Sequence, residues 1–190
     1  MPTFVAIDFE TADRQPDSAC ALALVKAADG EIVARRSFLI RPPRRRFVFT
    51  EVHGIRWRDV EHAPTFGELW PEIAAFIDGA AFLAAHHAPF DRGVLTACCA
   101  CAGVTAPSVP FRCTVKIARR VWGIFPTKLP NVCRRLGIEL DHHDALSDAD
   151  ACARIVLAAQ AAEGATGAAA GAWEPADLRQ PRRRGGASGR

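Results

Sequence analysis

Residues 4–13 read FVAIDFETAD, and the order of residue types in that stretch decides the fold. Phe4, Val5, Ala6 and Ile7 form an apolar run of strand-forming residues that leads straight into Asp8, Phe9 and Glu10. Side chains along a strand alternate between faces, and residues i and i+2 lie about 6.5–7 Å apart on the same face. Asp8 and Glu10 therefore share a face, while Phe9 points oppositely into the core. A carboxylate at the end of an apolar strand costs desolvation energy unless something pairs with it. Two acids on one face can converge on a cation, and oxygen-only donors suit Mg²⁺ or Mn²⁺ better than zinc. The same residues also fit a plainer arrangement, in which one acid caps the turn at residues 11–13 and the other is solvated.

Outward from this stretch, strands are expected over 3–8, 20–25, 31–40 and 81–85. Asp29-Gly30 supplies hairpin turn chemistry between the second and third of these, and Pro42-Pro43 stops the third. A loop over 44–63 holds Val52-His53-Gly54-Ile55. Thr65 and Glu68 form a capping box ahead of Leu69, Ile73, Phe76 and Ile77, which recur at helical spacing. Further helices are expected over about 91–102, 114–122, 129–136 and 144–162, several of them ended by glycine. The order of strands and helices predicts an α/β fold, a mixed sheet packed by helices. A fifth strand falls either near 137–140 or near 110–113.

The chain has 190 residues and a net charge of +3, which suits one domain. Residues 1–162 are the expected folded unit. Residues 163–190, rich in Gly, Ala, Pro and Arg, are expected to be a disordered basic tail. Without that tail the charge is close to balanced, so nucleic-acid binding must come from a local site rather than bulk attraction. The seven cysteines are expected to be free thiols, as suits a reducing cytoplasm. No signal peptide or membrane span is legible, so a cytoplasmic location is expected.

Two more acids and a histidine sit at telling places. Asp91 follows the apolar strand 81–85 in the run His86-His87-Ala88-Pro89-Phe90-Asp91, at a helix start where Asp is also a common cap. Asp148 lies about one turn into the last helix, with His143 at its entry. Histidine is the side chain best suited to proton transfer near neutrality.

Asp-Phe-Glu in the first strand, His-His-Ala-Pro-Phe-Asp after the later one and His143-x-Ala145-x-x-Asp148 together resemble the three motifs of the DEDDh family of 3′–5′ exonucleases. That family includes the proofreading epsilon subunit of bacterial DNA polymerase III and ribonuclease T. The resemblance covers roughly residues 3–160, and its third motif is the most specific. It implies a ribonuclease H-like fold, with strands 1–3 antiparallel, later strands parallel to the first, and flanking helices. It also implies two divalent ions, Mg²⁺ or Mn²⁺, held by Asp8, Glu10, Asp91 and Asp148, with His143 as general base. Thr11, His53, His86 and Phe90 would then face the substrate. The implied substrate is the 3′ end of single-stranded nucleic acid, DNA ahead of RNA, with a DNA polymerase or repair complex as a candidate partner. The absence of a second domain in this sequence favours a nuclease acting alone. One departure stands out: His87 occupies a position where relatives often carry Asn.

Two other readings compete. The tandem pairs His86-His87 and His142-His143 suggest a zinc hydrolase, although adjacent histidines rarely both face one ion and no HExxH spacing is present. A non-catalytic nucleic-acid-binding module is the second. The basic run Arg41 to Arg46 is expected either to track a phosphate backbone or to be a solvated loop.

Overall fold

A computed structural model describes residues 1–165, and the remainder of the expected tail lies outside the described residues. In chain order the elements are β1 (Phe4–Thr11), β2 (Ala19–Ala28), β3 (Glu31–Leu39), α1 (Thr50–His53), α2 (Trp57–Val60) and α3 (Phe66–Ile77). They continue with β4 (Leu83–Ala85), α4 (Pro89–Cys101), β5 (Phe111–Cys113), α5 (Thr114–Trp122), α6 (Leu129–Leu136) and α7 (Ala145–Ala165).

The strands form one sheet in the order β3-β2-β1-β4-β5. β1 to β3 pair antiparallel, whereas β4 runs parallel to β1 and β5 parallel to β4. The mixed five-stranded sheet flanked by helices is thus the ribonuclease H-like arrangement. The turn between β2 and β3 holds Asp29 at φ 51° and Gly30 at φ 89°, the doubly left-handed conformation that a tight hairpin requires. The Thr65–Glu68 capping box is present at the start of α3.

Several boundaries differ from the sequence reading. β1 runs to Thr11 rather than stopping at Asp8, because β2 pairs with it along its whole length, placing Asp8 opposite Ala23 and Glu10 opposite Ala21. The fifth strand lies at 111–113, where it gains a parallel partner in β4. Residues 44–63 contain two four-residue helices. α7 continues through 163–165, three residues beyond the expected end of the last helix.

The period of two along β1 divides the core. Val5, Ile7 and Phe9 pack with Leu22, Leu24 and Ile73 under α3 and α4. Phe4 and Ala6 face the other way, with Ala21, Ala23 and the α7 residues Ala149 and Ala153. Asp8 and Glu10 continue that second face, which delivers them to α7. Small side chains on both partners let the helix approach the sheet closely. All seven cysteines are free; Cys101 is exposed, while its neighbours Cys98 and Cys99 are buried. No helix among the described residues is long and apolar enough to cross a membrane.

The loops that follow β1 and β3 are clamped together. Arg44 Nε donates to Asp13 Oδ2 at 3.1 Å, and its Nη1 donates to Asp17 Oδ2 at 2.9 Å. Arg44 is thereby engaged within the fold, while Arg45 lies over the Trp57 ring at 5.1 Å. Burial alone would raise the Asp13 carboxyl, but hydrogen bonds from Arg44 and the Gln15 N–H outweigh it and hold it below its ordinary value. Asp17 is likewise lowered, chiefly by its hydrogen bonds from Arg44.

Arg44→Ala should lower the unfolding free energy by about 1–2 kcal/mol at neutral pH, the partly exposed guanidinium keeping the effect modest. Because both acids are depressed in the folded state, the contribution is full above the ordinary carboxylate range and disappears as pH falls through their folded values. Urea melts of wild type and variant should therefore converge in acid, and a gap that persists there would contradict the clamp.

Candidate active site

β1 projects Asp8 and Glu10 toward the first turns of α7, and α7 projects Asp148 back. One ligand oxygen from each of the three lies within 4.8 Å of the others. Asp148 is buried on the apolar face of its helix, 4% exposed, rather than on a solvated one. Asp144 caps α7, its Oδ1 accepting from the Ser147 N–H at 2.8 Å, and its charge adds to those that raise Asp8 and Glu10.

Asp91 arrives from α4. It is 1% exposed, and its Oδ1 accepts the Phe9 N–H at 3.2 Å. β4 ends at Ala85, so the Phe9 N–H lies beyond the parallel ladder and would be orphaned without this acceptor. Asp91 thus sits inside the first turn of α4 rather than capping it, and it ties that helix to the peptide between Asp8 and Glu10.

The electrostatics are those of acids gathered without compensation. Burial raises Asp8 well above its ordinary value, and Asp91, Asp148, Glu10 and Asp144 raise it further. Burial, then Asp148 and Asp144, push Glu10 up to about 7. Asp91 is pushed up to about 8 by burial, against the hydrogen bonds it accepts. Asp148 is raised by burial and relieved in part by His142. Clustered oxygen donors that repel one another in this way fit a divalent cation, which removes the penalty.

The histidines divide their work. His142 Nδ1 is 3.0 Å from Asp148 Oδ2, and the His143 N–H donates to the same oxygen at 3.2 Å. The His143 backbone is left-handed, at φ 75°, and its ring stacks on His142 at 3.8 Å with 21° between planes. His142, His143 and Asp148 also offer ligand atoms within 4.8 Å of one another. Nearly parallel rings at that spacing cannot both hold one ion in plane, so the oxygen set is the better cation site.

An open cavity of about 330 Å³ joins the three carboxylates, the two histidines and Phe90. Phe90 is 46% exposed there. His86 also lines it, but both its ring nitrogens are engaged: Nε2 with the Thr127 carbonyl at 3.0 Å and Nδ1 with Thr114 Oγ1 at 2.8 Å. Burial lowers this imidazole to about 4, so it is neutral at pH 7. His53 is held similarly. Its Nδ1 accepts the Ile55 N–H at 3.1 Å, which leaves Nε2 to donate to the Thr11 carbonyl at 3.1 Å. The Thr11 side chain is buried beneath that contact. Six of the nine expected site residues line the cavity, Asp91 is buried beside it against the Phe9 N–H, and Thr11 and His53 lie outside its lining. His142, Asp144 and Lys128 are neighbours that the motifs did not single out.

His87 takes φ 68°, in the left-handed region. Asn tolerates that region better than most residues, so an Asn at this position would carry less strain. The departure therefore bears on backbone strain. A larger groove of about 1350 Å³ between β3, the 136–141 turn and α7 contains none of the three clustered carboxylates.

In chelator the folded state favours neutral carboxyls at this site. Its stability should be greatest below the ordinary carboxylate values near pH 4 and fall as pH climbs through about 7 and about 8, the values of Glu10 and Asp91. Asp8→Asn should stabilise the chelated chain at pH 8 by on the order of 1–2 kcal/mol, one pKa unit being worth about 1.4 kcal/mol. Mg²⁺ should raise the denaturation midpoint of the wild type far more than that of the variant. Equal responses would argue against a cation site here.

An exonuclease family model, of the RNase T type, matches residues 5–156. A PolC-type DNA polymerase III from Thermotoga petrophila is 32% identical over 161 residues, covering 82% of this chain and 12% of that protein. Exodeoxyribonuclease 10 of Escherichia coli is 31% identical over 162 residues, 80% of this chain and 66% of the relative. The chain thus spans only a small part of the polymerases and about two thirds of the exodeoxyribonuclease. Among solved structures, exonuclease X in complex with 5′ overhanging duplex DNA has a TM-score of 0.66 at 24% identity, covering 88% of this chain and 95% of that one. The nuclease domain of 3′hExo, a DEDDh family member bound to rAMP, reaches 0.72 at 19% identity and covers 84% and 92%. These two likenesses speak to the fold, and the family match speaks to the chemistry: this chain belongs to the RNase T-type exonuclease family, whose members are 3′–5′ exonucleases, divalent-metal-dependent hydrolases.

Proposed function

We propose that this chain removes nucleotides from the 3′ end of single-stranded nucleic acid, DNA ahead of RNA, with two divalent ions, Mg²⁺ or Mn²⁺. The observation that carries the reading is the convergence of Asp8, Glu10 and Asp148 within 4.8 Å, beside His143 and next to buried Asp91. Asp8, Glu10 and Asp148 would hold one ion, and Asp8 with Asp91 would support the second. When bound, such ions supply charge neutralisation and water activation for phosphodiester hydrolysis. His143 takes the proton of the attacking water on its imidazole. His142 is engaged with Asp148, while the His143 ring also lines the cavity. Phe90 presents an apolar face for the terminal base. His53 braces the end of β1 through the Thr11 carbonyl, and His86 holds one wall of the cavity.

The preference for DNA is supported by the relatives named as an exodeoxyribonuclease and a DNA polymerase. A polymerase or repair complex as partner rests on the same relatives.

The test is a panel of end-labelled single-stranded DNA, duplex DNA and RNA, each with Mg²⁺, Mn²⁺, Zn²⁺ or chelator. Single-stranded DNA should shorten from its 3′ end with Mg²⁺ or Mn²⁺ and stay intact in chelator. Activity restored by Zn²⁺ alone would reverse the metal assignment. Asp8→Ala should remove both turnover and Mn²⁺ binding. His143→Ala should lower kcat about 10²–10⁴-fold with Mn²⁺ binding retained. If that variant lost the metal, His143 would be a ligand and not the base.

A further inference from the structure

Lys128 stands in the mouth of the acidic cavity and has no assigned role. It lines the same cavity as Asp8, Glu10, Asp148 and His143. Among the described residues its ammonium forms no ion pair and no hydrogen bond, even with three carboxylates on the same cavity wall. A cation beside the cluster would ordinarily pair with it, so this one stands off from the acids by more than ion-pair distance.

Its backbone, by contrast, is held tightly. Thr127, the residue before it, is 7% exposed, and its carbonyl accepts from His86 Nε2 at 3.0 Å. The Thr127 hydroxyl accepts from Arg119 Nε at 2.9 Å and donates to the Ile124 carbonyl at 3.0 Å. The Lys128 carbonyl accepts the Asn131 and Val132 N–H groups as α6 begins. Leu129 after it is 4% exposed. The side chain therefore leaves the fold at a fixed point between two buried residues, and His86 of the second motif sets that point.

We infer that Lys128 binds the backbone phosphate next to the scissile one, on the strand that enters the site. This rests on the exonuclease reading of the carboxylates. A polyanion crossing four acids is repelled. Bound ions offset that charge where the scissile phosphate sits, but the adjacent phosphate lies beyond them and needs its own cation. Lys128 is the only Lys or Arg lining the cavity among the described residues, and as a point charge on a flexible stem it suits a phosphate. The contact is to the backbone, so it holds strands of any sequence equally.

The experiment compares the full-length wild type with Lys128→Met and Lys128→Arg on two substrates with Mn²⁺. One is a single-stranded DNA 12-mer, assayed across a range of salt concentrations. The other is the nitrophenyl ester of thymidine 5′-phosphate, a diester with no second phosphate. Lys128→Met should raise KM for the 12-mer about tenfold at low salt. The slope of log KM against log salt should flatten by about 0.7, the value for one phosphate on a single strand. Turnover of the nitrophenyl ester should be unchanged, and Lys128→Arg should restore most of the 12-mer affinity. An equal loss on both substrates would put Lys128 on the scissile phosphate and overturn the inference, as would an unchanged salt slope. If the wild type cleaves the 12-mer, those outcomes remove the Lys128 assignment alone. A wild type inert toward both substrates removes the exonuclease reading and the assignment with it.

Discussion

Asp8, Glu10, Asp91 and Asp148 meet where β1 passes under the first turns of α7, and their repulsion is the constraint around which the molecule is built. Burial raises all four above ordinary carboxylate values, and repulsion from neighbouring acids raises Asp8, Glu10 and Asp91 further. His142 meets Asp148, and a backbone N–H meets Asp91, but among the described residues no Lys or Arg is paired with any of them. A fold that gathers acids in this way sacrifices stability locally and must recover it elsewhere, the usual trade at sites shaped for a ligand.

The recovery comes from the two cores on either side of the sheet. β1 contributes to both because its side chains alternate. Phe9 anchors one core, while its N–H is fixed by Asp91, so the peptide between the two acids is held from both directions. On the other side, the contact between β1, β2 and α7 is made largely of alanine: Ala6, Ala21, Ala23, Ala149 and Ala153. That is what lets a helix carboxylate reach the strand carboxylates. A larger side chain at Ala149, which is fully buried, would push Asp148 away from Asp8. The Arg44 clamp on Asp13 and Asp17 steadies the loop that leaves β1 on the same side.

Much of this was legible because it is local. The period of two placed Asp8 and Glu10 on one face, and glycine and Asp-Gly signals marked the hairpin and several helix ends. What was left open or missed depends on partners distant in sequence. β5 is three residues long and exists only through pairing with β4. β1 extends past Asp8 because β2 lies alongside it. Arg44 reads as a phosphate-tracking or solvated charge until the loops close and two aspartates reach it. Asp148 one turn into the last helix is marked in the sequence only by its motif, and close packing against the sheet is what buries it. Lys128 carries no motif at all; its place is set by the hydrogen bonds of His86 and Arg119 to Thr127.

The sequence by itself determined the α/β class, the alternation that pairs Asp8 with Glu10, and the three motifs that mark the family, since each depends on residue type at short spacing. Tertiary structure alone decided which side chains are free to act. It used the ring nitrogens of His53 and His86 to hold loops, turned the Asp148 face of α7 inward, and set Lys128 unpaired at the cavity mouth. Hydrogen bonds and burial of that kind are settled by groups that meet only when the sheet and its helices have closed, and no spacing along the chain encodes them.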